Sequence, residues 1–162
     1  LDGLIVLGGP QQIGDGEAWM AAERILVRSM DKIGRPVFGI DFGAQQIARA
    51  FGAPILQMSL PELGRGLVQR ADGSELAVFQ WHHMALGDLP GSAVRYGNQA
   101  AANQGFSYHH RICGVQFHLE ATLAMQKAMI EASEFSDLPH LSDDEETQAY
   151  EELTQLLNAT FL

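Results

Sequence analysis

The chain has a single cysteine, Cys113, no apolar run long enough to cross a bilayer, and only ten basic residues against twenty acidic ones. Each scarcity excludes something. One cysteine cannot form an internal disulfide, which agrees with a reducing, cytoplasmic setting. Without a long apolar run or a visible signal peptide, no membrane association is expected. A formal charge of −10 offers no basic patch to displace counterions from phosphates, so no nucleic-acid partner is expected. There is also no internal repeat, low-complexity linker or shift in composition. The 162 residues are read as one domain, 1–162, large enough for a proper core.

What is present is an alternation of strand and helix signals. Leu4–Leu7 and Val37–Ile40 are short apolar runs of strand type, and Glu17–Ile33 carries apolar residues at helical spacing. Ile55–Gln57 is a further strand. From Gly66 to Phe117, short β-type runs (76–80, 93–96, 101–108 and 112–117) are punctuated by Asp72-Gly73, Leu89-Pro90-Gly91 and His109-His110-Arg111, which predicts antiparallel strands with tight turns. Leu123–Ala132 and Glu145–Leu157 read as closing helices. The acidic run Ser142 to Glu146 then becomes a helix start, with Ser142 as N-cap and carboxylates facing the positive end of the dipole. The order predicts an α/β fold of flavodoxin-like arrangement: a mainly parallel sheet with helices on both faces, plus a small antiparallel strand section.

Gly39-Ile40-Asp41-Phe42-Gly43-Ala44-Gln45 stands out within this order. A strand runs into a helix through a turn with glycines on both sides of Asp41, and the middle side chain is thereby raised at the helix N-terminus, where backbone N–H groups favour negative charge. Taken alone, the segment also suits an ordinary connection with an acidic N-cap. At the far end of the chain, Ile112 to Glu120 reads as a buried strand presenting His118 and Glu120 on one side, two residues apart. A histidine oriented by a carboxylate is the base half of a nucleophilic triad.

Together with Gly8-Gly9-Pro10, these segments resemble the class I glutamine amidotransferases, whose signatures are G-x-C-x-G-x-Q, a glycine-rich oxyanion loop and G-V-Q-F-H-P-E. Glu62-Leu63-Gly64-Arg65-Gly66, Gln80-Trp81-His82-His83 and Asn103-Gln104-Gly105-Phe106 are similar to their counterparts in the stand-alone, GMP-synthase-like branch. The resemblance implies Asp41 at the nucleophile position, with His118 and Glu120 completing the triad. It also implies oxyanion donors from the N–H groups of Gly9 and Phe42, and contacts from Gln45, Asn103, Gly105 and Phe106 to the amino-acid end of glutamine. It implies that the ligand is glutamine or a related small molecule, that a possible partner is a synthetase domain or subunit, and that no cofactor takes part. The family opens with a strand, a helix and a second strand, so a sequence that starts at Leu1, inside what reads as the third strand, is expected to be a fragment or a processed chain. The first strand of the family, or a substitute, is expected beside Leu4–Leu7, which reads as buried on both faces.

Two positions depart from the signatures: Asp41 replaces the cysteine, and Leu119 replaces the proline. A carboxylate is a far weaker nucleophile toward an amide than a thiolate, so the glutaminase step is expected to be absent or nearly so. Two alternatives stay open. Asp41 could be an engineered, oxidised or misrecorded cysteine, because cysteine sulfinic acid has the shape and charge of aspartate. Asp41 could also be the nucleophile of a hydrolase acting on carbon–halogen or epoxide bonds, which would leave Gln45 and the Asn103 segment without a purpose. With His118 between two carboxylates, its pKa is expected above the ordinary value of about 6.5, and those of Asp41 and Glu120 below theirs. His82 and His83, like His109 and His110, are adjacent and cannot easily share an ion, so no metal is expected. Cys113 reads as a small buried hydrophobe.

Overall fold

All four residues of Val37–Ile40 are buried, as befits an apolar run placed in the middle of a sheet. The computed structural model describes residues 1–162 and arranges them in the order β1 (Leu4–Val6), α1 (Ala18–Lys32), β2 (Val37–Ile40), α2 (Phe42–Ala50), β3 (Ile55–Arg70), β4 (Glu75–Leu86), β5 (Ser92–Gly97), β6 (Gly105–Tyr108), β7 (Ile112–Val115), α3 (Leu123–Ala132) and α4 (Asp143–Phe161). The seven strands form one sheet in the order β1-β2-β7-β6-β5-β3-β4. Only β1, β2 and β7 run parallel; every other pairing is antiparallel. The α/β architecture is as expected, with a larger antiparallel section than the sequence suggested.

Strand alternation divides the core between the two faces of the sheet. Val37 and Ile112 join Val27 and Met30 of α1 and Ile47 and Ala48 of α2 on one side. Phe38, Ile40, Val115 and Phe117 join Ala149 and Leu156 of α4 on the other. Helix α4 starts as predicted: Ser142 accepts from Glu145 N–H, and Glu145 reaches back to Ser142 N–H. Its inner face is fastened by Glu152, which takes two hydrogen bonds from Arg70 at 2.9 and 3.0 Å and one from the Tyr96 hydroxyl. Further contacts join this helix to the chain after β7: Glu146 accepts from Leu123 N–H at 2.7 Å, and Tyr150 donates to the Glu120 carbonyl at 3.3 Å.

Strand β1 corrects an expectation. It pairs only with β2 and forms an edge, with Ile5 half exposed and only Val6 buried. No strand of this chain lies on its outer side. What anchors it is α2, which crosses so closely that a Cβ on Gly43 would lie 2.0 Å from the Val6 carbonyl oxygen. The obstacle is backbone, so a side chain at position 43 can be admitted only by moving the strand. Gly43→Ala is therefore expected to destabilise the fold by about 1–3 kcal/mol, read as a lower urea midpoint at unchanged slope. A midpoint equal to that of the unsubstituted protein would show that β1 yields freely.

Candidate active site

Strand β2 ends at Asp41, and its partner β7 runs on toward His118. Gly39 and Ile40 pair with Gly114 and Val115, and Asp41 N–H donates to the Val115 carbonyl at 2.8 Å. The carboxyl ends of two parallel neighbours thus bring together residues far apart in sequence. Asp41 has φ 53° and ψ −118°, a positive-φ conformation outside the left-handed helical region that any L side chain seldom adopts and that strand-to-helix elbows impose. Its side chain does not cap α2, which removes the reading as an ordinary acidic N-cap. Instead Oδ1 accepts from Gln116 Nε2 at 3.0 Å, and Oδ2 lies over Gly8, where a Cβ would come within 2.9 Å of it.

His118 is fixed through its backbone, which donates to the Phe79 carbonyl of β4 at 2.8 Å, and through its ring, whose Nδ1 lies 2.7 Å from Glu120 Oε1. The other carboxylate oxygen of Glu120 is buried without a hydrogen-bond partner. Nε2 of His118 is 3.9 Å from Asp41 Oδ2, beyond hydrogen-bond length but close enough for strong charge coupling. Burial opposes charging of His118, yet the hydrogen bond and charge of Glu120, with a smaller share from Asp41, outweigh it and raise its pKa. Asp41 does not follow the expected depression. Burial raises its pKa, and the opposing pulls of His118, the Phe42 N–H and His82 do not overcome that. The correction has a plain cause: a carboxylate 9% exposed forfeits more hydration than one charge contact at 3.9 Å returns.

Beside Asp41 lies a cavity of about 200 Å³, lined by Gly9, Gln12, Phe42, Gln45, Trp81 and His82 among others. It is small compared with the roughly 300–1,000 Å³ of common ligand clefts. A larger, open groove of about 900 Å³ between β3 and β5 lies away from the elbow, and it is Asp41 on its wall that marks the smaller cavity as the candidate site, although His118 and Glu120 do not line it. Of the residues singled out from sequence, Gly9, Asp41, Phe42 and Gln45 line this cavity together. Asn103, Gly105 and Phe106 do not. Asn103 donates to the Gly87 carbonyl and accepts from Gly105 N–H, both at 3.2 Å, while the Phe106 ring is wholly buried in the core. His82 is buried and His83 exposed, as adjacent strand residues should be. No three His, Cys, Asp or Glu side chains converge on a point that would hold a metal.

Gln116 is a site residue that the sequence reading missed. Its amide donates to Asp41 and accepts from Gln45 Nε2 at 3.2 Å, tying the elbow side chain to the first helical turn. The signal for it was spacing: Gln116 precedes His118 by two, so the pair shares a strand face.

The chain matches the family Glutamine amidotransferase class-I over residues 1–138. It is 30% identical over 130 residues to a glutamine-hydrolyzing GMP synthase subunit of Thermoplasma acidophilum, covering 74% of this chain and 64% of that protein. It is 28% identical over 153 residues to a glutamine amidotransferase-like protein of Salmonella typhimurium, covering 82% of this chain and 62% of the other. The chain thus spans less than two thirds of the length of these relatives. Among solved structures, a glutamine amidotransferase of Thermotoga maritima superposes with a TM-score of 0.84 at 25% identity, over 97% of this chain and 77% of that one. On these matches the chain belongs to the class I glutamine amidotransferase family.

Proposed function

We propose that this domain binds glutamine, or a related small molecule, beside Asp41 without hydrolysing it, and acts as a binding, regulatory or ammonia-dependent partner of a synthetase domain or subunit. The observation that carries the reading is a carboxylate on the elbow where amide hydrolysis calls for a thiolate. In the hydrolytic reaction a thiolate attacks the side-chain amide carbon, backbone N–H groups hold the oxyanion, and an imidazolium gives its proton to departing ammonia. The N–H groups of Gly9 and Phe42 supply the oxyanion donors in this reading, and His118 with Glu120 supplies the acid. Attack by Asp41 would instead form a mixed anhydride and expel ammonia from a poor nucleophile's adduct. Two of the similar proteins support glutamine as the ligand, since one is named as glutamine-hydrolyzing and the other as glutamine amidotransferase-like.

His118 adds a second obstacle. An imidazole held in its charged form can give a proton to departing ammonia but has no lone pair with which to accept one, so it cannot activate the water that must then hydrolyse the acyl adduct. The environment of the pair favours that form.

The protein as it stands is expected to release no ammonia from glutamine above background, while Asp41→Cys raises the rate by at least about two orders of magnitude, given what loss of a triad nucleophile costs. Equal turnover by both proteins would overturn the reading. Glutamine binding to the unsubstituted protein, measured by calorimetry, tests the other half separately.

Linkage gives a further expectation. Both Asp41 and His118 have folded-state pKa values raised above the ordinary 3.8 and 6.5. For each, the stabilising contribution is complete below the unfolded value and is lost as pH rises through the folded one. Asp41→Asn keeps an acceptor for Gln116 but cannot ionise. It is expected to be more stable than the unsubstituted protein at neutral pH, and the difference should grow as pH rises from about 4. Urea titrations at a series of pH values check this, and a difference independent of pH would contradict it.

A further inference from the structure

Behind the cavity, the three segments left without a role by the triad converge on one side chain. Glu62 stands opposite His82 in the β3–β4 register, immediately after an irregularity between Gln57 and Glu62. The break re-aims Glu62 inward. There its Oε2 accepts from Gln104 Nε2 at 2.5 Å and its Oε1 from Asn98 Nδ2 at 2.6 Å. Gln104 Oε1 accepts from Gln80 Nε2 at 2.8 Å, which turns Gln80 Oε1 toward His82 Nε2 at 2.9 Å. Glu62 Oε2 also lies 3.3 Å from that same nitrogen. On the other side of the ring, Nδ1 lies 2.8 Å from the Met84 carbonyl.

Donor and acceptor roles propagate along this chain. An ionised carboxylate can only accept, so Gln104 must present its NH₂ to Glu62 and its oxygen to Gln80. Gln80 must then present its own oxygen to His82. Both ring nitrogens of His82 face acceptors only, and a ring whose two nitrogens both donate is an imidazolium. The opposite ordering, with every amide reversed, requires a protonated Glu62. Burial favours that, but hydrogen bonds from His82, Asn98 and Gln104 outweigh it and hold the Glu62 carboxyl below its ordinary range.

We propose that the Glu62–Gln104–Gln80 chain fixes His82 as an imidazolium, and that His82 is a positioning residue which favours the anionic form of whatever side chain occupies the elbow. His82 lines the cavity together with Asp41, is 4% exposed, and its charge bears on Asp41. Its N–H groups are spent on Gln80, Glu62 and Met84, so it acts on the cavity through its field. The charged groups around the pair are Glu62 on β3 and Asp41, His118 and Glu120 at the carboxyl ends of β2 and β7. This role does not depend on which ligand the cavity takes.

The test uses Asp41→Cys as a reporter. Cys113, the other thiol, is buried and has its pKa pushed up to about 12 by that burial, so it serves as an unreactive internal reference. Iodoacetamide labelling of the thiol introduced at position 41, at neutral pH and followed by peptide mass, reports its thiolate fraction. Adding His82→Asn is expected to slow labelling by about threefold or more, given what removal of one nearby opposite charge does to a thiol. Adding Glu62→Gln should slow it comparably, although Glu62 does not line the cavity. Unchanged labelling in either folded double variant would overturn the proposal. Should the variants fail to fold, ¹⁵N spectra of the His82 ring in the unsubstituted protein decide the matter: two protonated nitrogens at neutral pH support it, and one bare nitrogen refutes it.

Discussion

Four residues of β2 and four of β7 run side by side, and the hydrogen bond from Asp41 N–H to the Val115 carbonyl closes the last rung of that parallel ladder. Shift this register by one residue and every side chain beyond it changes face. The elbow would then point away from His118, Gln116 would lose Asp41, and the α2 helix would no longer enter the gap above Val6. Both flanks enforce the pairing. Phe38 and Val115 are fully buried on one side of the sheet, and Val37 and Ile112 are buried on the other.

Asp41 shows how a buried elbow treats a carboxylate. The elbow offers the Phe42 N–H and the His118 imidazole, which favour an anion at position 41, and a buried setting, which opposes one. A carboxylate is strongly hydrated and loses much when water is removed, and the same surroundings leave it harder to ionise than in solution. Gln116 softens the effect by supplying one donor to the Asp41 carboxylate.

Much of this was legible in the residues. The elbow, the His118–Glu120 spacing, the helices and the Ser142 cap follow from local patterns, because each is decided within a few residues. Strand β3 was read as ending at Gln57 but runs to Arg70, since Pro61, Gly64 and Gly66 break the apolar alternation in a strand that is bent where it passes Glu62. The exposure of β1 was not legible, because Leu4–Val6 has the same composition at an edge as in the centre of a sheet. Nor was the direction of the Asp41 shift, which depends on how much water the fold removes. The link from Glu62 to His82 depends on the β3–β4 register and that from Gln116 to Gln45 on how α2 packs beside the end of β7, and no local pattern carries either.

Helix α4 lies wholly beyond the residues that match the family, which end at 138. Yet it holds the Leu123 amide and the Glu120 carbonyl, and it supplies the carboxylate against which Arg70 and the Tyr96 hydroxyl are satisfied. A boundary drawn at residue 138 would strand an arginine and a phenol over an uncovered Phe117 and Val115. It would also free the segment that aims Glu120 at His118. The folded unit thus extends past the residues that match the family, and a helix that lines no part of the cavity holds the backbone carbonyl of Glu120, whose carboxylate meets His118.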